Sequence, residues 1–191
     1  MEALIDFDKE LFLFLNGLGT PTWDGFWMFM TNKWSSIPLY LVLLVTSFRF
    51  LGKKHTLVLL LCVAAMIGAT DQLANAFKYG FERLRPCHDE SINSLMRLVK
   101  PYCGGQFGYF SAHASNAFAT ATFFSLLFTQ RFRLGVWVIL GLLVWSSLVA
   151  YSRIYIGVHF PLDVLTGMAI GGVLGSLFFR LYIFALTKLP K

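Results

Sequence analysis

Twelve residues, Ser152 to Asp163, read SRIYIGVHFPLD and hold the side chains best equipped for chemistry in this chain. They set a serine–arginine pair, a histidine and a carboxylate at the mouth of an apolar segment. Polar groups at that depth are costly unless they face one another or a ligand. His159 and Asp163 are four apart, the spacing that brings side chains together on a helix. Pro161 between them suits a first turn, where its missing N–H costs nothing. An aspartate holding one imidazole nitrogen fixes the tautomer and leaves the other nitrogen free to attack. Taken alone, the pair is equally a buried structural contact.

Two earlier stretches sharpen that choice. Lys78 to Pro86 reads KYGFERLRP, and Ser111 to His113 reads SAH. If the helix runs through to Pro86, Lys78 and Arg85 lie two turns apart on one face. With Arg153 they make three cations suited to a phosphate dianion and its transition state, and arginine adds a bidentate fork. A lone Lys/Arg pair at a membrane edge is ordinarily snorkelling charge, so the weight rests on the three stretches together. Ser111 is a natural N-cap. His113 then falls in a first turn, where free N–H groups and the positive helix end favour phosphate. In isolation, Ser111 would be a plain cap and His113 an interfacial anchor.

Lys78, Arg85, Pro86, Ser111, His113, Ser152, Arg153, His159 and Asp163 fall in register with the pattern K-x6-RP, PSGH, SR-x5-H-x3-D. Over residues 71–175 the chain therefore resembles the type-2 phosphatidic acid phosphatase (PAP2) family. The resemblance implies His159 as a nucleophile forming a phosphohistidine, Asp163 as its orienting partner and His113 as the acid that protonates the leaving oxygen. It also implies that Lys78, Arg85, Arg153, Ser111 and the Ala112 backbone N–H bind phosphate oxygens. Phe110 and Ala112 depart from the family's Pro and Gly. Ala112 keeps its N–H, so the cradle survives unless a left-handed conformation is required there. Family members act on lipid A phosphates, undecaprenyl diphosphate, phosphatidylglycerophosphate or phosphatidic acid. The implied activity is hydrolysis of a lipid phosphate or pyrophosphate, with no metal and no cofactor. A lipid phosphotransferase of the same family is the alternative. A non-catalytic anionic-lipid-binding or transport protein is another, and the presence of both histidines counts against it.

Composition sets the solvent. Hydrophobic residues make up 57% of the chain and charged residues 14%, against roughly a quarter charged in soluble domains. The pI of about 9.4 would suggest nucleic acid in a soluble protein, but no nucleic-acid-binding pattern is present. The bases read instead as membrane-flanking charge and a phosphate site, so the partners are the bilayer and a lipid phosphate. The opening MEALIDFDKELFLFLNG is acidic where a cleavable signal peptide is basic, so none is expected.

The expected fold is one all-α integral membrane domain over residues 1–191, a bundle of about five transmembrane helices within 35–187. The spans read 35–51, 56–80, 112–129, 134–151 and 161–186, each near the length a bilayer requires. Residues 1–34 hold Asp6, Asp8, Glu10, Asn16, Gly17, Gly19, Pro21 and Asp24, which interrupt a span. They read as interfacial helices, with a sixth span as the minor alternative. Arg49, Lys53, Lys54, Arg131, Arg133, Lys188 and Lys191 gather on one side without an acid, which makes that side cytoplasmic. The motif face then points outward from a bacterial inner membrane. The sequence gives no oligomeric state.

Three further features are open to two readings, and a fourth, Cys62, to one. Asp71 and Asn75 continue the Lys78 face deeper into their span; Asp71 is a functional candidate, as any intramembrane carboxylate is, or a buried structural partner for an arginine or hydroxyl, the favoured reading. Arg83, Arg97 and Lys100 would hold an anionic headgroup or form a solvated loop face. Cys87 and Cys103 flank the outward loop, where a disulfide and two free thiols both fit. Cys62 reads as an apolar filler.

Overall fold

The computed structural model describes residues 2–132 and 136–188. The side chain of Arg131 lies outside the described residues, as do Arg133, Lys191 and the start of the span expected at 134. Six helices follow in order: α1 (Glu2–Gly17), α2 (Pro21–Thr31), α3 (Ile37–Phe81), α4 (Ala112–Phe132), α5 (Val136–Tyr155) and α6 (Pro161–Thr187). No strand occurs among the described residues; Leu84 and Phe107 form an isolated antiparallel bridge.

Three helical segments are long and apolar enough to cross a membrane: Lys33–Phe81, Val136–Tyr155 and Pro161–Thr187. The first is 45 residues of α3 and its leading turn, broken at Gly52, where φ is 76° and ψ 174°. Such a φ favours glycine. Leu41 and Leu44 share an apolar groove with Leu60 and Val63, so the chain folds back at Gly52 and its halves lie side by side. The connection expected over 52–55, between the spans 35–51 and 56–80, thus narrows to the break at Gly52. α4 does not meet the same hydropathy test. Its composition is that of a central helix, with Ala114, Ala117, Ala119, Ala121, Phe123 and Leu127 all buried against protein. Large apolar side chains point outward instead, among them Val42, Leu57, Leu61, Val173 and Leu177. That is the polarity expected where lipid is the solvent.

α4 and α6 approach closely because α6 presents glycine at every fourth residue. A side-chain carbon at Gly167, Gly171 or Gly175 would stand 2.6, 2.3 or 2.5 Å from the carbonyl oxygens of Ser111, Ser115 and Ala119. Small residues that let backbones meet are the usual means of helix association in lipid. The Ser111 N–H also donates to the Asp163 carbonyl at 3.0 Å, closing the seam at its outer end.

The N-terminal helices, 16 and 11 residues long, fall short of the ~20 residues needed to span. They dock on the mouth of the bundle. Phe12 packs edge-on against Phe160 at 5.4 Å. The Asn16 amide donates to the carbonyls of Arg97, Ile154 and Tyr155, and its oxygen accepts from the Arg97 N–H at 2.7 Å. Trp27 stacks on Tyr155 at 5.2 Å. Arg97 pairs with Asp24 at 3.0 Å and lies over the Tyr155 ring, so it serves this docking rather than a headgroup. Cys87 and Cys103 are joined in a disulfide, with their Cα atoms 6.1 Å apart.

The seam makes a direct prediction. Gly171→Ala drives a methyl against backbone that cannot turn away and should lower stability by about 1–3 kcal/mol. Gly172→Ala meets nothing nearer than Thr122 Oγ1 at 4.0 Å and should melt like the parent protein. Thermal unfolding of both variants in detergent checks the contrast.

Candidate active site

Each predicted residue is held by a local feature of the fold. α5 ends at Tyr155, and the chain reverses through Ile156–Phe160, turning at Gly157 with φ 83°. α6 then opens on Pro161. Asp163 Oδ2 accepts from the Phe160 N–H at 3.0 Å, the reach of a third-position carboxylate back to the helix start. The same oxygen stands 3.5 Å from His159 Nδ1. His159 is 2% exposed and Asp163 fully buried. Arg153, in the last turn of α5, is buried and donates from Nη1 to Thr31 Oγ1, at the end of α2. Its Nε has no hydrogen-bond partner among the described residues.

α4 supplies the second group. Ala112 begins the helix without a positive φ; among the described non-glycine residues only Glu82 has one. Alanine therefore fits where the family pattern has glycine. Ser111 is buried and accepts from the Ala114 N–H at 3.5 Å, a long cap. His113, one residue into the helix, is exposed to the cavity described below.

The first group corrects the sequence reading. α3 does not run to Pro86 but ends at Phe81, because Glu82 takes a left-handed conformation with φ 49°. Arg85 is delivered by an extended segment instead. Its N–H donates to the Gln106 carbonyl at 3.0 Å and its Nε to the Phe107 carbonyl at 3.2 Å. The pairing with 106–107, not a shared helix face, brings Arg85 toward Lys78.

A cavity of about 460 Å³ collects these side chains, with Lys78, Arg85, Ala112, His113, Arg153 and His159 on its wall. Asp163 and Ser111 stand behind that wall. Burial holds the His159 imidazole well below its ordinary range, and the positive charges of Arg153, Arg85 and Lys78 add to the effect. Both effects favour the neutral ring, the form a nitrogen nucleophile requires. Lys100 is also depressed, first by burial and then by Arg153 and Arg85, so the loop adds a fourth cation near the site. Among the described residues, one group has the donor types and spacing of a metal site: Cys87, His88 and Cys103. Its sulfurs are bonded to each other, and none of the three lines the cavity.

Three residues that matter here were not singled out by the motifs. Arg83, expected to face a headgroup or solvent, turns inward. Its Nη1 donates to Asp163 Oδ1 at 2.7 Å and its Nη2 to Asp8 Oδ2 at 2.5 Å. The guanidinium also lies over the Phe160 ring, 4.5 Å from its centroid. Asp8, 1% exposed, accepts from the Leu162 N–H at 2.9 Å through its other oxygen. Burial pushes the Asp8 carboxyl above its ordinary range, and Arg83 and Leu162 pull it back. Thr31 is the third, through Arg153. The signal for Asp8 lay in its spacing: Asp8, Phe12 and Asn16 recur every four residues and are the buried face of α1.

An all-helical chain with membrane-length apolar helices, carrying two histidines and a cage of cations at one end of the bundle, has the make-up of a membrane phosphatase. The chain belongs to the PAP2 superfamily, whose family model matches residues 56–185. The lipid A 4′-phosphatase of Porphyromonas gingivalis is 34% identical over 98% of this chain and 78% of its own length. That of Bacteroides thetaiotaomicron is 35% identical over 94% of the chain and 78% of its own. An undecaprenyl-diphosphatase of Sulfolobus acidocaldarius is 31% identical over 89% and 76%. Among solved structures, the PAP2-type phosphatidylglycerolphosphate phosphatase of Bacillus subtilis superposes with a TM-score of 0.73 at 20% identity. It covers all of this chain and 90% of that one. LpxE of Aquifex aeolicus superposes with a TM-score of 0.67 at 26% identity, over 90% and 93%. The chain is thus a membrane lipid phosphatase of the PAP2 type.

The Asp8–Arg83–Asp163 series makes a prediction. With Asp8 neutralised, Arg83 bears on Asp163 alone and draws its charge away from His159 Nδ1, which stands 3.5 Å off without a hydrogen-bond partner among the described residues. Asp8→Asn keeps an acceptor for Leu162 but should lower kcat about tenfold, ~1.4 kcal/mol, with little change in KM. Phosphate-release kinetics check this, with a melting curve to verify the fold.

Proposed function

We propose that this protein removes a phosphate from an envelope lipid, with lipid A phosphate as the foremost substrate, at the outer face of a bacterial inner membrane. The observation that carries the reading is the meeting of His159 and His113 with Lys78, Arg85 and Arg153 on one cavity. The two lipid A 4′-phosphatases at 34% and 35% identity support the substrate. Counting the two halves of α3 with α4, α5 and α6 gives five spans. The bases at Arg49, Lys53, Lys54 and Lys188 then face the cytoplasm. An apolar groove of about 240 Å³ shares Tyr40 and Ile67 with the catalytic cavity. Lipid tails reach the site laterally along it.

In this reading the neutral His159 attacks phosphorus through Nε2, while Asp163 steadies the ring from the Nδ1 side. The P–O bond to the lipid alcohol breaks, and the alcohol departs with a proton from His113. Water then gives a proton back to His113 and displaces phosphate from His159, which restores the free enzyme. Lys78, Arg85 and Arg153 meet the charge on the phosphoryl oxygens throughout, the task a metal performs in other phosphoryl-transfer sites. Activity in EDTA should therefore equal activity without it, and a strict Mg²⁺ requirement would contradict the mechanism.

The central test is phosphate release by the purified protein from lipid A, undecaprenyl diphosphate, phosphatidylglycerophosphate and phosphatidic acid. His159→Ala should abolish turnover yet leave substrate binding measurable. His113→Ala should slow a basic alkoxide leaving group by about 10²–10⁴-fold and nitrophenolate much less, because general acid catalysis matters most for basic leaving groups. Near-normal turnover by His159→Ala would overturn the assignment.

A further inference from the structure

A carboxylate is out of place in a cavity built to receive a phosphate dianion, yet Asp71 is exposed to this one. It lies on the Lys78 face of α3, two turns deeper, and is not the buried arginine partner its sequence position suggested. Asn116 meets it from α4, where it sits three residues beyond His113, about 4.5 Å further along the axis. The Asn116 amide donates to Asp71 Oδ1 at 2.8 Å. Asn116 Oδ1 is buried and has no hydrogen-bond partner among the described residues. Both side chains line the same cavity as His113 and His159, and Tyr40 and Trp145 line it too, with their rings edge-to-face at 6.0 Å. On the α3 and α4 side of the cavity, Asp71 and the unpartnered Asn116 Oδ1 thus offer acceptor oxygens, with aromatic faces on the same wall.

Such a wall is costly for some ligands and favourable for others. The charge on Asp71 opposes the incoming phosphate, and its acceptors lose water when an alkyl chain fills the space. A ligand that brings O–H or N–H groups to this depth satisfies them. His113 fixes which ligand group arrives there, because the acid must touch the leaving oxygen and the leaving alcohol therefore lies on its side. We infer that Asp71 and Asn116 read hydrogen-bond donors on the leaving alcohol, so that phosphates borne on a sugar headgroup with free hydroxyl or amide groups are preferred to polyprenyl diphosphates. A site built to hydrogen-bond a substrate rejects an analogue lacking the donor far better than an apolar pocket rejects a bulkier one. This rests on the proposal above that the cavity hydrolyses lipid phosphates.

The test compares full-length wild type with Asp71→Leu and Asp71→Asn in detergent, measuring phosphate release from lipid A and from undecaprenyl diphosphate. The asparagine variant retains an acceptor for Asn116 and guards against loss of fold. In both variants the ratio of kcat/KM for lipid A to that for undecaprenyl diphosphate should fall at least tenfold. The loss on lipid A should be accompanied by a gain on the polyprenyl substrate as the opposing charge is removed. An equal loss on both substrates would make the pair a plain interhelical tie and overturn the inference, while leaving the phosphatase reading intact. No release by wild type from either lipid would overturn that reading and the inference together.

Discussion

The close approach of α4 and α6 is the constraint on which the site depends. His113 rides on one helix, Asp163 on the other, and His159 in the turn that leads into the second. Their mutual placement is therefore set by how near two backbones can come. Gly167, Gly171 and Gly175 allow contact with the carbonyls of Ser111, Ser115 and Ala119, and the Ser111 N–H pins the outer end to Asp163. In lipid there is no hydrophobic gain from bringing apolar helices together, so packing of this kind supplies the association. His113 and His159 are brought to one cavity by backbone contact between the helices that carry and lead from them.

Charge completes what packing begins. Arg153 is held by Thr31, Arg85 by the carbonyl of Phe107, and Asp163 by Arg83, which is balanced in turn by Asp8. Two of these supports come from helices that precede the region matched by the family model. A buried ion pair contributes little to net stability, but removing one partner strands the other. The series fits a positioning role: it keeps a carboxylate charged and oriented where burial alone would favour its protonation.

The signature residues were legible because their order and spacing are rigid, and the structure brings six of the eight predicted site residues onto one cavity wall. The apolar segments were legible because lipid-facing side chains announce themselves by composition. What escaped depended on distant partners or on single backbone angles. Arg83 looks like any loop arginine until Asp8 arrives from 75 residues away. Asp8 looked like an interruption of a span, and became a buried anchor only when α1 docked. The left-handed Glu82 ends α3 four residues before Arg85, a single backbone angle that the apolar pattern does not show. Lys78 and Arg85 still converge, through the pairing of Leu84 with Phe107 rather than through helical periodicity.

The bond from the Leu162 N–H to Asp8 joins residues 154 positions apart, and this separation governs how the protein is made. Asp8 is made 154 residues before its partner. At about 5–20 residues per second, the carboxylate waits roughly 10–30 s before its last ligand exists. Throughout that interval α1 lacks the Leu162 and Phe160 contacts that seat it on the bundle mouth. The Asp8–Arg83–Asp163 series is therefore completed in one step, when the start of α6 meets α1. Arg83 and His113 are made well before Asp163, so the site closes only once the start of α6 exists.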